Sequence, residues 1–294
     1  MNERKLGNRA QVLFAKDIII DDKRCVLAVN GPLEVLFNKD NALDIVWVRY
    51  KGINLSFLSK NGLNDGSRAF GANFEGGFLY TCGMDSISSC VPDKPMHGSL
   101  HYKRCDNVYS YEKDGMIFVC GDVRETALFG KNLLMRRSYE ITDSTLLIND
   151  TVINESYTPA DYVLLYHVNY GYPFLDECLV MDIPSAKVEM RSENSRRHAE
   201  DMLRITPPID GADECVYYHT LREGRIKLTN PELNISVQMS YDTRDLPITY
   251  EWKSMISGDY ALGIEPATAR FDDFKMQTLA PQQSRNFKIK IDFT

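Results

Sequence analysis

Apolar and polar positions alternate one for one along much of this chain, the period of a strand with one buried face. Leu233, Ile235, Val237 and Met239 alternate with Asn234, Ser236, Gln238 and Ser240. Phe287, Ile289, Ile291 and Phe293 alternate with Lys288, Lys290 and Asp292. Leu146, Ile148 and Val152 lie opposite Asn149, Thr151 and Glu155. Turn-forming triplets separate such runs: Asn30-Gly31-Pro32, Lys113-Asp114-Gly115, Cys120-Gly121-Asp122, Asp210-Gly211-Ala212 and Glu223-Gly224-Arg225. The best helical pattern covers 192–204 and is short. These signals predict an all-β fold, a sandwich of large antiparallel sheets. No repeat, low-complexity stretch or linker interrupts the chain, so one domain over 1–294 is expected.

Two stretches depart from simple alternation. Val163, Leu165, His167 and Asn169 share one face of a predicted strand, and Leu164, Tyr166, Val168 and Tyr170 share the other. The first face starts apolar and turns polar. Such a histidine is either a core group with a hydrogen-bond partner or part of a site at the mouth of a sheet. In 261–268, Leu262 and Ile264 face one way and Gly263 and Glu265 the other, with Pro266 predicted to end the strand. A glycine two residues before an acid on one face leaves room for a ligand.

Composition narrows the partners. The chain has 294 residues, 44% of them hydrophobic and 26% charged, and a formal net charge of −7. That is ordinary globular composition. An acidic chain without a basic run predicts no nucleic-acid partner and no anionic membrane. The charged start MNERKLGNRAQ lacks an apolar signal core, so a cytoplasmic protein is expected. Seven cysteines (Cys25, Cys82, Cys90, Cys105, Cys120, Cys178 and Cys215), without a CxxC pair, suit reduced thiols. Sequence leaves the oligomeric state open, a homodimer included.

Chemistry concentrates in three places. His97 follows Pro95 and precedes Gly98, so it lies in a turn or at a strand start. The 164–177 stretch carries His167, Asn169, Asp176 and Glu177, and Glu265 completes the set. His97 and His101 have the spacing of a helical metal pair, but Gly98 and Ser99 disfavour a helix there, and no metal is expected. There is no GxSxG and no phosphate-binding glycine loop. Asp176 and Glu265 could flank a glycosidic bond by residue type alone.

These stretches, with "GGFLYTCGMD" (76–85), "MHG" (96–98), "ETALFGKNLLMRRSYE" (125–140), "LLYHVNYGYPFLDE" (164–177), "YEWKSM" (250–255) and "ALGIEPAT" (261–268) in that order, carry a resemblance. The chain resembles the aldose 1-epimerase-like proteins grouped as the DUF4432 family, relatives of galactose mutarotase. The resemblance spans the chain from Asp40 onward. It implies the galactose mutarotase-like super-sandwich and a cofactor-independent isomerase that interconverts anomers of a monosaccharide or sugar derivative. Two histidines and a glutamate surround the anomeric centre in such enzymes, and by motif they fall on His97, His167 and Glu265. Two departures stand out: Asn41 and Ala42 replace an arginine and a glycine, and Ser99 replaces an arginine that often follows the histidine–glycine pair. Losing guanidinium groups implies a less anionic ligand.

Anomer exchange asks for an acid at the ring oxygen and a base at the anomeric hydroxyl. Histidine suits the first role and a carboxylate the second. The resemblance thus implies His167 as acid, Glu265 as base and His97 as a polarising group. Asn169, Asp176, Arg137 and Lys253 are candidates for holding hydroxyls. Trp252, Tyr170 and Tyr172 are candidates for stacking on a sugar face. Two other readings stay open: a non-catalytic carbohydrate-binding or regulatory protein, and another sugar isomerase using the same cleft.

Overall fold

The computed structural model describes residues 12–67, 69–87, 94–272 and 275–294. The chain starts with β1 (Leu13–Ile20), β2 (Lys23–Asn30), β3 (Leu33–Asn38), β4 (Asp44–Tyr50) and β5 (Ile53–Asn54), which form one five-stranded meander. A short helix α1 (Phe70–Asn73) leads to β6 (Leu79–Gly83). Then come β7 (Cys105–Lys113), β8 (Met116–Thr126), β9 (Asn132–Ile141), β10 (Thr145–Asn154), β11 (Ala160–Tyr162), β12 (Leu164–Tyr170), β13 (Val180–Asp182) and β14 (Ser185–Met190). Helix α2 (Glu193–Arg197) precedes β15 (Cys215–Leu221), β16 (Arg225–Asn230), β17 (Ile235–Tyr241), β18 (Ile248–Ile256), β19 (Asp259–Ala267), β20 (Gln277–Leu279) and β21 (Ser284–Phe293).

Eight strands form a sheet in the order β13-β16-β17-β21-β10-β9-β8-β7, and six form another in the order β14-β15-β18-β19-β12-β6. The alternating runs read from sequence are β17, β21 and β10. Their apolar faces, with Val237, Ile289, Ile291 and Ile148, enter one large core. The six-stranded sheet meets that core with Leu164, Tyr166, Val168, Tyr170, Leu262 and Ile264. Its other face carries Tyr80, Leu165, Val216, Tyr218 and Tyr250 into a second cluster, closed over by Ile87 and Phe271. Both faces of this sheet are covered, which is why every residue of β12 is buried.

One local expectation changes. Cys120-Gly121-Asp122 is no turn but the middle of β8, where a Cβ on Gly121 would lie 2.3 Å from Cys105 Sγ. The glycine serves close packing between strands rather than a reversal. The 192–204 helix is five residues long, capped by Ser192, whose side chain accepts from Ser195 N. The six described cysteines are free, and Cys90 lies outside the described residues. Among the described residues no helix is long and apolar enough to cross a membrane.

A buried ionic network ties β4, β6, β9 and β10 together. Arg137 is fully buried and spends its five N–H donors within it. Nε and Nη2 donate to Asp150 at 2.9 and 2.7 Å, Nη1 to Asp44 at 2.5 Å and to Ala42 O at 3.0 Å, and Nη2 to Thr81 Oγ1 at 2.8 Å. His101 continues the network, 2.7 Å from Asp44 and 3.1 Å from Glu75. Although burial disfavours its charge, these carboxylates outweigh that and raise its pKa to about 9. The folded value lies above the ordinary 6.5, so the stabilisation is complete below about pH 6.5 and is lost as pH rises through about 9. Urea unfolding from pH 6.5 to 9.5 should therefore show falling stability. His101→Gln should be less stable at pH 6.5 and flatter across the range; an equally sloped variant would remove His101 as the cause.

Candidate active site

Neighbouring strands of the six-stranded sheet build the floor of one cleft. β12 and β19 pair with Leu165 opposite Ala267 and Val168 opposite Ile264, a register that brings His167 opposite Glu265. On the other side of β19, Tyr250 of β18 lies opposite Glu265 and Trp252 opposite Gly263. Pro266 does not end β19, which runs on to Ala267. Lacking an N–H, it instead sits where the β12–β19 ladder skips residues 166 and 167 without losing register.

His97 reaches the same cleft from a loop. Its backbone is left-handed at φ 66°, and Gly98 follows at φ 74°. A Cβ at Gly98 would lie 2.2 Å from Ser86 O, so the histidine–glycine pair is a steric demand of this turn. His97 Nδ1 stands 3.3 Å from Ile87 O, and its ring centroid is 5.5 Å from that of His167. The cleft spans about 440 Å³ including the solvent at its open mouth. Phe70, Phe74, Trp252 and Phe271 supply aromatic walls, and Arg191 and Glu214 stand at the exposed rim.

Burial governs the charges on the floor. It pushes the Glu265 carboxyl well above its ordinary range, with Glu214 adding to the effect and Arg191 opposing it. It lowers His97 to about 4. It also holds His167 well below the ordinary imidazole value, helped by His97 and opposed by the nearby Asn169 side chain. His167 Nε2 and Glu265 Oε1 are 3.2 Å apart. Their angle makes no hydrogen bond, and Glu265 Oε1 has no partner among the described residues. Burial thus disfavours charge on both members of the pair, and the carboxyl oxygen that faces His167 is left without a hydrogen-bond partner among the described residues.

Of the residues picked out by sequence, His97, His167, Glu265 and Trp252 line this cleft. Four others do not. Arg137 is locked in the ionic network. Lys253 neighbours Trp252 but points to the opposite face, where Nζ donates to the carbonyls of Asp201, Met202 and Arg204 at 2.9, 2.9 and 2.5 Å. Asn169 stands behind His167, its Nδ2 donating to Gly77 O at 2.9 Å and His167 O at 3.2 Å. Asp176 lies in a turn, accepting from Glu177 N at 2.6 Å. Tyr170 belongs to the main core, and Tyr172 is exposed outside the cleft. Neither family departure lines the cleft. Asn41 Nδ2 lies 3.1 Å from His101 Nε2, and Ser99 Oγ donates to Glu125 at 3.3 Å. Phe70, Phe74, Phe271, Arg191 and Glu214 carried no signal in sequence, because they come from the one-turn helix α1 and its cap and from segments next to strand ends, where there is no pattern.

Gly263 also changes meaning. A Cβ there would lie 2.6 Å from Glu265 Oε1 and 3.1 Å from His167 Cε1. The room is occupied by the carboxyl and imidazole themselves, not by a ligand. Gly263→Ala should displace both side chains. We expect at least about a tenfold loss of sugar-dependent activity with a nearly unchanged unfolding midpoint, since a small misplacement of reacting groups can cost about a hundredfold. Wild-type activity in the alanine variant would show that this spacing is irrelevant.

A twisted antiparallel super-sandwich with such a cleft on one sheet is the galactose mutarotase-like fold. The solved structures agree. A Klebsiella pneumoniae protein provisionally named an aldose 1-epimerase superposes with a TM-score of 0.86 at 16% identity, covering 97% of this chain and 84% of that one. A galactose mutarotase-like protein from Clostridium acetobutylicum gives 0.70 at 15% identity over 96% and 98%. A protein from Salmonella typhimurium provisionally named a mutarotase gives 0.72 at 9% identity over 95% and 93%. At these identities the likeness is one of fold. No curated protein sequence matches the chain. The chain belongs to the family described as Domain of unknown function (DUF4432), whose model matches residues 24–292.

Proposed function

We propose that this protein is an aldose 1-epimerase-like isomerase that interconverts the anomers of a monosaccharide. The observation that carries the reading is the His167–Glu265 pair, 3.2 Å apart and buried at the floor of an aromatic-walled cleft. Exchange needs one proton delivered to the ring oxygen and one removed from the anomeric hydroxyl. The bond from the anomeric carbon to the ring oxygen breaks, giving the open-chain aldehyde. Rotation about the next carbon–carbon bond and reclosure return both protons. A pair that holds one proton in total can do this, because one member donates while the other accepts. In the proposed assignment His167 serves the ring oxygen and Glu265 the anomeric hydroxyl. The hydroxyl groups of a bound sugar would favour moving the proton from Glu265 to His167. His97 polarises the ring oxygen or its neighbour, and Trp252 offers a face for the sugar ring.

Magnetisation-exchange NMR on neutral and phosphorylated aldoses tests this. Catalytic amounts of protein should speed α/β exchange for at least one of them. Binding without faster exchange would leave the protein a carbohydrate binder and sink the isomerase reading.

A further inference from the structure

We infer that the Arg191 guanidinium is an oxyanion subsite, so that the sugar taken by this cleft carries a phosphate or carboxylate on a carbon remote from the anomeric centre. This deepens the sugar reading above and rests on it for the orientation of the ligand.

Arg191 lines the same cleft as His167 and Glu265 but stands exposed at its mouth. Its guanidinium carbon lies 5.0 Å from the Phe271 ring centroid. Stacking on a ring fixes the plane of a guanidinium and leaves its edge N–H groups for a bidentate oxyanion. Among the described residues no carboxylate takes those donors. Arg270, Arg225 and Arg24, by contrast, are all ion-paired. The rim's acid, Glu214, is engaged elsewhere: its Oε2 accepts from Trp252 Nε1 at 2.8 Å. Burial disfavours charge on the floor of the cleft, raising the Glu265 carboxyl and lowering both imidazoles. At the mouth an anionic ligand therefore meets the Arg191 guanidinium, which no described carboxylate takes, beside the Glu214 carboxylate that is held by Trp252.

Depth sets the position of the anion on the sugar. The acid–base pair is nearly inaccessible, with His167 4% and Glu265 2% exposed. A sugar with its anomeric carbon at that pair directs its far end outward, toward Arg191. The two arginines missing at positions 41 and 99 do not bear on this, because neither position lines the cleft.

Binding measured by calorimetry tests the subsite without requiring turnover. The ligands are glucose, glucose 6-phosphate and glucuronic acid, with the galactose and mannose counterparts, against wild type, Arg191→Gln and Arg191→Lys. In at least one stereochemical series the anionic sugar should bind wild type about tenfold more tightly than the neutral one, with added salt eroding the difference. Arg191→Gln should remove that preference and leave neutral-sugar binding unchanged. Arg191→Lys should keep part of it, because the charge remains without the fork. The phosphate and uronate arms decide which oxyanion is preferred. Equal binding of neutral and anionic sugars, equal weakening of both by Arg191→Gln, or no binding in any series would overturn the subsite. Tight binding of an anionic sugar without faster anomer exchange would instead overturn the isomerase reading and leave the subsite standing.

Discussion

Glu265→Gln is expected to lower the maximal rate of anomer exchange by about 10²–10⁴-fold, the usual contribution of a positioned acid or base. The amide keeps the shape of the carboxyl but cannot shuttle a proton. Stability should not suffer, because Glu265 Oε1 has no partner among the described residues and burial already disfavours the charged carboxylate. Sugar affinity should persist, so the loss should fall on kcat rather than KM. The pH profile gives a second readout. His97 is held at about 4 and His167 well below 6.5, so wild-type activity should not drop at the ordinary imidazole value as pH falls. The acid limb should appear only as those imidazoles gain protons. On the alkaline side activity should hold above the ordinary carboxyl value and fall once Glu265 ionises and the pair loses its proton. An undiminished rate in Glu265→Gln would place the base elsewhere, and an unfolded variant would make Glu265 a structural residue.

Arg137→Met should be the most destabilising single change, by about 3–5 kcal/mol, the cost of removing one partner from a buried ion pair. Asp150 would be left without its cation, and Asp44 with the His101 imidazolium alone, in a site closed to water. Asp150→Asn should cost somewhat less, since Asp44 still pairs with the guanidinium. Urea midpoints with unchanged slopes would measure both. The network lies beneath the site: His101 stacks on Tyr80 with ring centroids 3.7 Å apart, and Tyr80 lies opposite His167. Some loss of activity at temperatures near unfolding should follow. If Arg137→Met kept wild-type stability and lost sugar affinity, the guanidinium would be a ligand-holding group after all.

The chain by itself determined the strands and the faces of those at the site. Alternation is a local property, so Val163, Leu165 and His167 could be put on one face of β12, and Gly263 and Glu265 on one face of β19, from sequence alone. His97 came from its turn context and from the motif resemblance, not from alternation, because a left-handed turn has no period. Tertiary structure alone decided which polar residues meet a ligand. Trp252 and Lys253 are adjacent, and only the direction of β18 in its sheet separates a cleft wall from a cation held by three carbonyls. Arg137 looked available until Asp44, 93 residues away, and Asp150 closed around it. Arg191 and Phe271 have no motif between them and meet only because Phe271, beyond the end of β19, packs onto the Tyr250 face of the sheet, within reach of the residue that follows β14. Facing is written in the spacing of neighbouring residues. Partnership depends on charges and rings brought together across long stretches of chain, and no short window of sequence contains both members.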